Sequence, residues 1–231
     1  MKIHILSLFP EYFQGPFDVS IVKRARDKGI LSIEQVNIRD FSKDEHKRVD
    51  DTPYGGGSGM VMLAQPIVDA IRSVRKENTH VIYLSAQGQV LNAQKCEELS
   101  KEEHLVLLCG HYEGIDERVI LSEVDEELSI GSYVLTCGCP AAIVLVDSVM
   151  RYLPKALGNA EAVLYESHQN GLLEGPQYTR PLEYEGIKVP DVLLGGHHEK
   201  IKQWRLQEGL KKTKKMRPDL YKNYEQQGVL R

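Results

Sequence analysis

Three short apolar runs most constrain the fold of this chain: Lys2–Phe9 (KIHILSLF), His80–Leu84 (HVIYL) and His104–Cys109 (HLVLLC). Each reads as a strand buried inside a sheet. Leu31–Arg39 alternates apolar and polar residues, as a half-buried strand does. Between the runs lie segments of helical period. Asp18–Lys28 is closed by Gly29 as a C-cap, and Gln65–Lys76 carries Ile67, Val68, Ile71 and Val74 on one stripe. Asn92 is placed to cap a helix running to about Leu99, and Ala142–Leu153 reads as a further amphipathic helix. Strands separated by helices of about ten residues imply a parallel α/β sheet.

Three of the strand ends run into glycine-bearing or small polar loops: Ser85–Gln89, Cys109–Asp116 and Ser129–Pro140. Ligands of open α/β sheets bind at the carboxyl ends of strands, so three such loops predict one small-molecule site. Asp50–Met60 (DDTPYGGGSGM) adds a glycine-rich segment suited to close approach of a ligand. It is no P-loop, because no Gly-Lys-Ser/Thr follows. It is no dinucleotide fingerprint either, because Met60 stands where a third glycine is needed.

Other patterns limit the chemistry. His111, Tyr112 and Glu113 follow a buried strand, and a carboxylate there could hold an ammonium or ribose group. Asp116 and Glu117 are better read as charges at a helix start. Cys137 and Cys139 form a lone C-x-C with no second pair, and His197 and His198 are adjacent rather than spaced, so no metal ligand is assigned. No Ser-His-Asp or nucleophilic-cysteine arrangement is legible. Four cysteines are too few and too unevenly placed for a disulfide framework. No run approaches the roughly 18 apolar residues of a membrane span. The expected compartment is a reducing cytoplasm, with no membrane partner.

Beyond Leu157 the pattern changes. Gly158–Gly175 reads as a flexible linker of about 18 residues. Lys200–Lys212 is helical and basic, with Trp204 and Leu210 available for packing, and Pro218–Gln226 forms a second short helix. Charge is unevenly spread. Glu97–Glu127 carries eleven carboxylates against Lys101 and Arg118, whereas Lys200–Arg217 carries eight basic residues against Glu208. A basic tail on an acidic average predicts contact with a polyanion through one part of the molecule. The expected organisation is an α/β domain over 1–157, a linker over 158–175 and a small, mainly helical domain over 176–231.

Taken together, the motifs resemble one family. They are MKIHILSLFPEYF at the start, Val49–Met60, Cys109–Val119, Ser129–Thr136, Leu153–Asn159, Gly171–Pro181, Val189–His198 and Trp204–Arg205. Collinear over nearly the whole chain, they resemble the bacterial tRNA (guanine-N1)-methyltransferases, the TrmD family of the knotted SPOUT class. The resemblance implies a deep trefoil knot in the parallel α/β domain. It implies methyl transfer from S-adenosylmethionine to N1 of guanosine-37 of tRNA, immediately 3′ of the anticodon. It also implies an obligate homodimer whose active site is shared between subunits, with tRNA rather than DNA as partner. Mg²⁺ enters only as a link known for the family.

Carried over by position, the resemblance assigns donor binding to Tyr83, Leu84, Ser85, Gln87, Gly110, Tyr112, Glu113, Ser129, Ile130, Gly131, Tyr133, Val134, Leu135, Cys137, Gly138 and Ala141. It places the general base at Glu166 and a cation assisting at guanine O6 at Arg151. RNA contacts fall on Asp50, Tyr54, Gly55, Gly56, Gly57, Ser167, Glu174, Arg180 and His197, with the lysines Lys211, Lys212, Lys214 and Lys215. The chain departs from the family pattern at several of these places. Glu166 and Glu174 stand where Asp is usual, and Thr52 where Arg is usual. Ser132, Cys137 and Cys139 replace Asp, Gly and Glu, and Pro140 is displaced by one residue. A knotted tRNA-binding protein with weakened or lost methyl transfer is the alternative these departures raise.

Overall fold

A computed structural model describes residues 1–158 and 166–226. The chain divides into two compact units, Met1–Ala160 and Glu161–Arg231.

The first unit is built on five strands: β1 (Lys2–Ser7), β2 (Ser32–Asn37), β5 (Thr79–Val90), β6 (His104–Cys109) and β7 (Glu126–Ser129). They form one sheet in the order β2-β1-β6-β5-β7, and every pairing is parallel. Two further strands, β3 (Asp50–Asp51) and β4 (Val61–Met62), pair as an antiparallel ribbon. The helices are α1 (Ser20–Asp27), α2 (Ala64–Val74), α3 (Ala93–Leu99), α4 (Glu117–Glu123) and α5 (Cys139–Met150).

Side-chain alternation along β6 shows why the central strands are apolar throughout. Leu105, Leu107 and Cys109 join the core beneath α1, α3 and α5. Val106 and Leu108 join a second core beneath α2 and α4. A sheet covered on both faces has no polar side, so the period-2 polar signal vanishes. Every one of these β6 side chains is fully buried. Burial of each Leu or Val contributes about 1.5–3 kcal/mol relative to exposure. Charge adds a clamp on the second face. Glu123 of α4 is buried and takes Arg72 Nε of α2 at 2.8 Å and Nη1 of Arg75, just past the end of α2, at 2.6 Å.

Two expected boundaries move. The strand His80–Leu84 continues to Val90, because β7 keeps pairing with it: Gln89 faces Leu128 and Val90 faces Ser129 after an irregularity between Leu84 and Gln89. Ser85–Gln89 is thus an excursion within a strand, a bulge rather than a terminal loop. The helix expected from Ala142 starts at Cys139. Pro140 occupies its first turn, where the missing N–H costs nothing.

The second unit contains the ribbon β8 (Glu183–Tyr184) and β9 (Ile187–Lys188), then helices α6 (His198–Met216) and α7 (Pro218–Gln226). Of the segment 158–175, residues 159–165 lie outside the described residues. Within it, Leu173 and Gly175 pack on α6. Leu173 N–H donates to Thr213 Oγ1 at 2.9 Å, and a Cβ on Gly209 would stand 2.7 Å from the Leu173 carbonyl oxygen. Small residues on α6 thus admit this segment's backbone. Among the described residues no helix is long and apolar enough to cross a membrane.

Candidate functional site

Parallel strands deliver all their carboxyl ends to one edge of the sheet. There the loop after β6 becomes a hub. The glycine-rich segment is laced onto it: Glu113 N–H donates to Met60 O at 3.0 Å, Met62 N–H to Gly114 O at 3.0 Å, and Asp116 N–H to Met62 O at 3.1 Å. The loop before α5 reaches it too, where Gly138 N–H donates to Gly110 O at 2.9 Å. Asp116 caps α4, accepting from the Arg118 amide at 2.9 Å, so its role is local.

The structure therefore brings together Gly110, Tyr112 and Glu113 with Gly138 and the run before it. Ser129 Oγ donates to the Gly131 carbonyl at 2.9 Å and accepts from the Gly131 amide at 3.2 Å, fixing the turn out of β7. Beyond it Tyr133, Val134 and Leu135 are exposed, Val134 to 85%. Among the described residues, nothing accepts the amide hydrogens of Val134, Leu135 or Thr136. Open amides beside exposed apolar side chains can take a flat heteroaromatic ring and its edge acceptors. Ser85 and Gln87 occupy the β5 bulge, where Gln87 N–H donates to Ser85 Oγ at 3.1 Å. Tyr83, Leu84 and Ala141 are buried in the cores rather than lining the open surface. Burial, then the charges of Glu127 and Glu117, push the Tyr83 phenol up to about 12, so it stays protonated. A cavity of about 450 Å³ between α2 and α4, lined by Leu63, Gln65, Asp116 and Arg118 among others, contains none of the expected donor residues.

Beneath this edge lies a sulfur cluster. Cys109, Cys137 and Cys139 are all buried and reduced. The Cys139 sulfur lies 3.2 Å from Ser7 Oγ and 4.0 Å from His111 Nε2. Hydrogen bonding from Cys109, with His111, Ser7 and Cys137 adding to it, holds Cys139 below the ordinary thiol range. Burial pushes Cys109 and Cys137 up. Cys137 has no positive φ, so it does not need glycine's freedom, and its side chain points into the core.

The remaining expected residues are placed as follows. Tyr54 is fully exposed at the tip of the glycine-rich segment, and Gly55, Gly56 and Gly57 all take positive φ. Asp50 is half-buried in β3. Arg151 caps the carboxyl end of α5. Glu166, Ser167, Glu174, Arg180 and His197 belong to the second unit, where Ser167 Oγ accepts from Glu174 N–H at 3.1 Å. Lys211, Lys212, Lys214 and Lys215 are exposed on α6.

A family model described as tRNA (Guanine-1)-methyltransferase TrmD matches residues 1–223. The chain belongs to the TrmD family. It is 59% identical over 224 residues to a tRNA (guanine-N(1)-)-methyltransferase of Chlamydia pneumoniae, covering 97% of this chain and 62% of that protein. It is 57% identical over 220 residues to the protein of that name from Protochlamydia amoebophila, covering 95% and 99%. The corresponding protein of Dictyoglomus turgidum is 55% identical over 220 residues, covering 95% and 89%. The chain thus spans less than two thirds of the Chlamydia pneumoniae relative and nearly all of the Protochlamydia one. The glycine-bearing strand ends were legible as loops in the sequence, but nothing there joined His111 to Cys139, because 28 residues separate them.

Proposed function

We propose that this protein methylates N1 of guanosine-37 in tRNA, using S-adenosylmethionine. The match of the TrmD family model across residues 1–223 carries the reading. The hub at the carboxyl ends of the strands supports it, because its open amides and exposed apolar side chains fit a donor's adenine. We further infer that the 130–138 run threads beneath the loop after β6 as a knot. The hydrogen bond from Gly138 to Gly110 and the packing of Gly138 against the Cys109 backbone support that. Bound S-adenosylmethionine supplies an electrophilic methyl group on a sulfonium. Gly110, Gly131, Tyr133, Val134, Leu135 and Gly138 would hold it.

Guanine N1 carries a proton and is a poor nucleophile until that proton leaves. Glu166 takes it as general base. Negative charge then develops on O6, where Arg151 provides a compensating cation. The base must leave its stack to reach the site. In this reading two copies of the chain form the working unit, in the cytoplasm, with Glu166 of a second copy completing the hub. The exposed lysines of α6 hold the tRNA backbone.

Methyl transfer to unmodified tRNA tests the proposal. Glu166→Ala should lose about a hundredfold or more of the rate, the usual yield of a general base. Glu166→Asp, which restores the residue usual in the family, should recover most of it. Donor binding by calorimetry should be unchanged in both. A wild-type protein that binds tRNA yet transfers no methyl group would favour the alternative of a binding protein with lost catalysis.

A further inference from the structure

We propose that His111, Cys137 and Cys139 form a binding site for a thiophilic divalent metal, with Zn²⁺ the ion of matching chemistry. The imidazole nitrogen and the two sulfurs all lie within 4.8 Å of one another. Tetrahedral zinc with one nitrogen and two sulfur ligands spaces such atoms about 3.5–3.8 Å apart. Closing the set therefore needs a contraction of at most about 1.3 Å between any two of them. Two thiolates neutralise the ion, and each thiol that binds gives up its proton to solvent. A nitrogen and two soft sulfurs exclude Mg²⁺ and Ca²⁺, which require oxygen.

The surroundings are those of a built site. Cys139 is the first residue of α5, a twelve-residue helix, so its sulfur sits where helix amides favour negative charge. Ser7 is fully buried and its Oγ accepts from Phe9 N–H at 3.0 Å, which leaves its hydroxyl hydrogen for the Cys139 sulfur at 3.2 Å. That is an outer hydrogen bond of the kind that orients a ligand. The His111 ring is held against Phe9, with centroids 4.9 Å apart. Three protein ligands leave a fourth position for water or a solute. Cys137 and Cys139 stand where the TrmD pattern has Gly and Glu, so the site is particular to a chain with this pair. It lies directly under the hub, and its occupancy would set the position of the run before α5.

Cobalt titration of the full chain, stripped of metal and free of donor, tests this. One Co²⁺ per chain should bind with a sulfur-to-cobalt charge-transfer band and tetrahedral visible absorption, and Zn²⁺ should displace it. Cys137→Gly and His111→Asn should each weaken binding a hundredfold or more. Ser7→Ala, which keeps all three ligands, should weaken it by about 10–100-fold. Thermal unfolding without metal identifies any variant that has failed to fold. Absence of the charge-transfer band in the wild type overturns the proposal. So does unchanged affinity in Cys137→Gly or His111→Asn proteins that melt like the parent. Because metal is read without donor or tRNA, failure here leaves the methyl-transfer reading untouched, and the reverse holds.

Discussion

At the scale of single residues, the hub depends on backbones that touch. Gly138 has an ordinary φ of −73°, so conformational freedom is not why it is glycine. A Cβ there would stand 2.9 Å from Cys109 Cα and 3.1 Å from the Gly110 nitrogen. Both neighbours are main chain and cannot swing aside. Gly138→Ala should therefore cost about 1–3 kcal/mol by overpacking. It should also weaken S-adenosylmethionine binding, because the strain falls on the Gly138–Gly110 hydrogen bond. Urea unfolding and a calorimetric donor titration check the two effects. An unchanged midpoint would show that the two segments separate without penalty. The sequence marked Gly138 as one of several loop glycines. It could not show that Gly138 is where the two loops touch, because the partner backbone lies 28 residues upstream. The same separation hid His111 from Cys139, and the C-x-C pair read as having no third ligand.

At the scale of elements, what was legible followed from burial. β1, β6 and the first half of β5 were visible because strands covered on both faces become unbroken apolar runs. The second half of β5 was not, since Ser85–Gln89 is polar and only the pairing to β7 makes it strand. The amino ends of the same strands hold a different polar feature. His4 Nδ1 and His104 Nε2 lie 2.7 Å apart across β1 and β6, and His104 Nδ1 lies 2.7 Å from Thr79 Oγ1 on β5. Burial lowers the pKa of His4 below 6.5, with Lys2 next, and outweighs the opposing pull of Glu34. Burial lowers His104 as well, with His4 next. Both rings are thus neutral in the folded sheet. Below pH 6.5 the unfolded chain takes up protons that the folded one refuses, so stability is present above that value and falls as pH drops through it. Unfolding free energy should be lower at pH 5.5 than at pH 7.5. His104→Gln should be less stable at pH 7.5 yet lose less between the two. Equal wild-type stability at the two pH values would mean that the rings titrate normally.

At the scale of the molecule, charge separates by unit. Met1–Ala160 carries 17 basic and 23 acidic residues, a net of −6, and Glu161–Arg231 carries 12 and 10, a net of +2. Part of the acidic segment found in the sequence is compensated within its own unit. Glu123 is held by Arg72 and Arg75, Glu126 by Lys95 and His80, and Glu97 by Lys101. The basic segment is compensated less. Lys211 pairs with Glu208 at 2.7 Å and Lys214 lies 5.3 Å over the Tyr221 ring, while Lys212 and Lys215 make no ion pair among the described residues. Structure thus sharpens what charge counting could only locate, since counting cannot tell a cation already engaged from one available to a polyanion. Changing all four lysines to Ala should weaken tRNA binding and flatten its dependence on salt. Each phosphate contact contributes about 0.7–0.9 to the slope of log affinity against log salt. With Lys211 partly committed to Glu208, the slope should fall by between about 1 and 2.7 rather than by the roughly 2.8–3.6 of four full contacts. Binding measured between low and moderate salt reads this directly. A slope and affinity that do not move would return the α6 lysines to solvent and place the polyanion contact elsewhere on the chain.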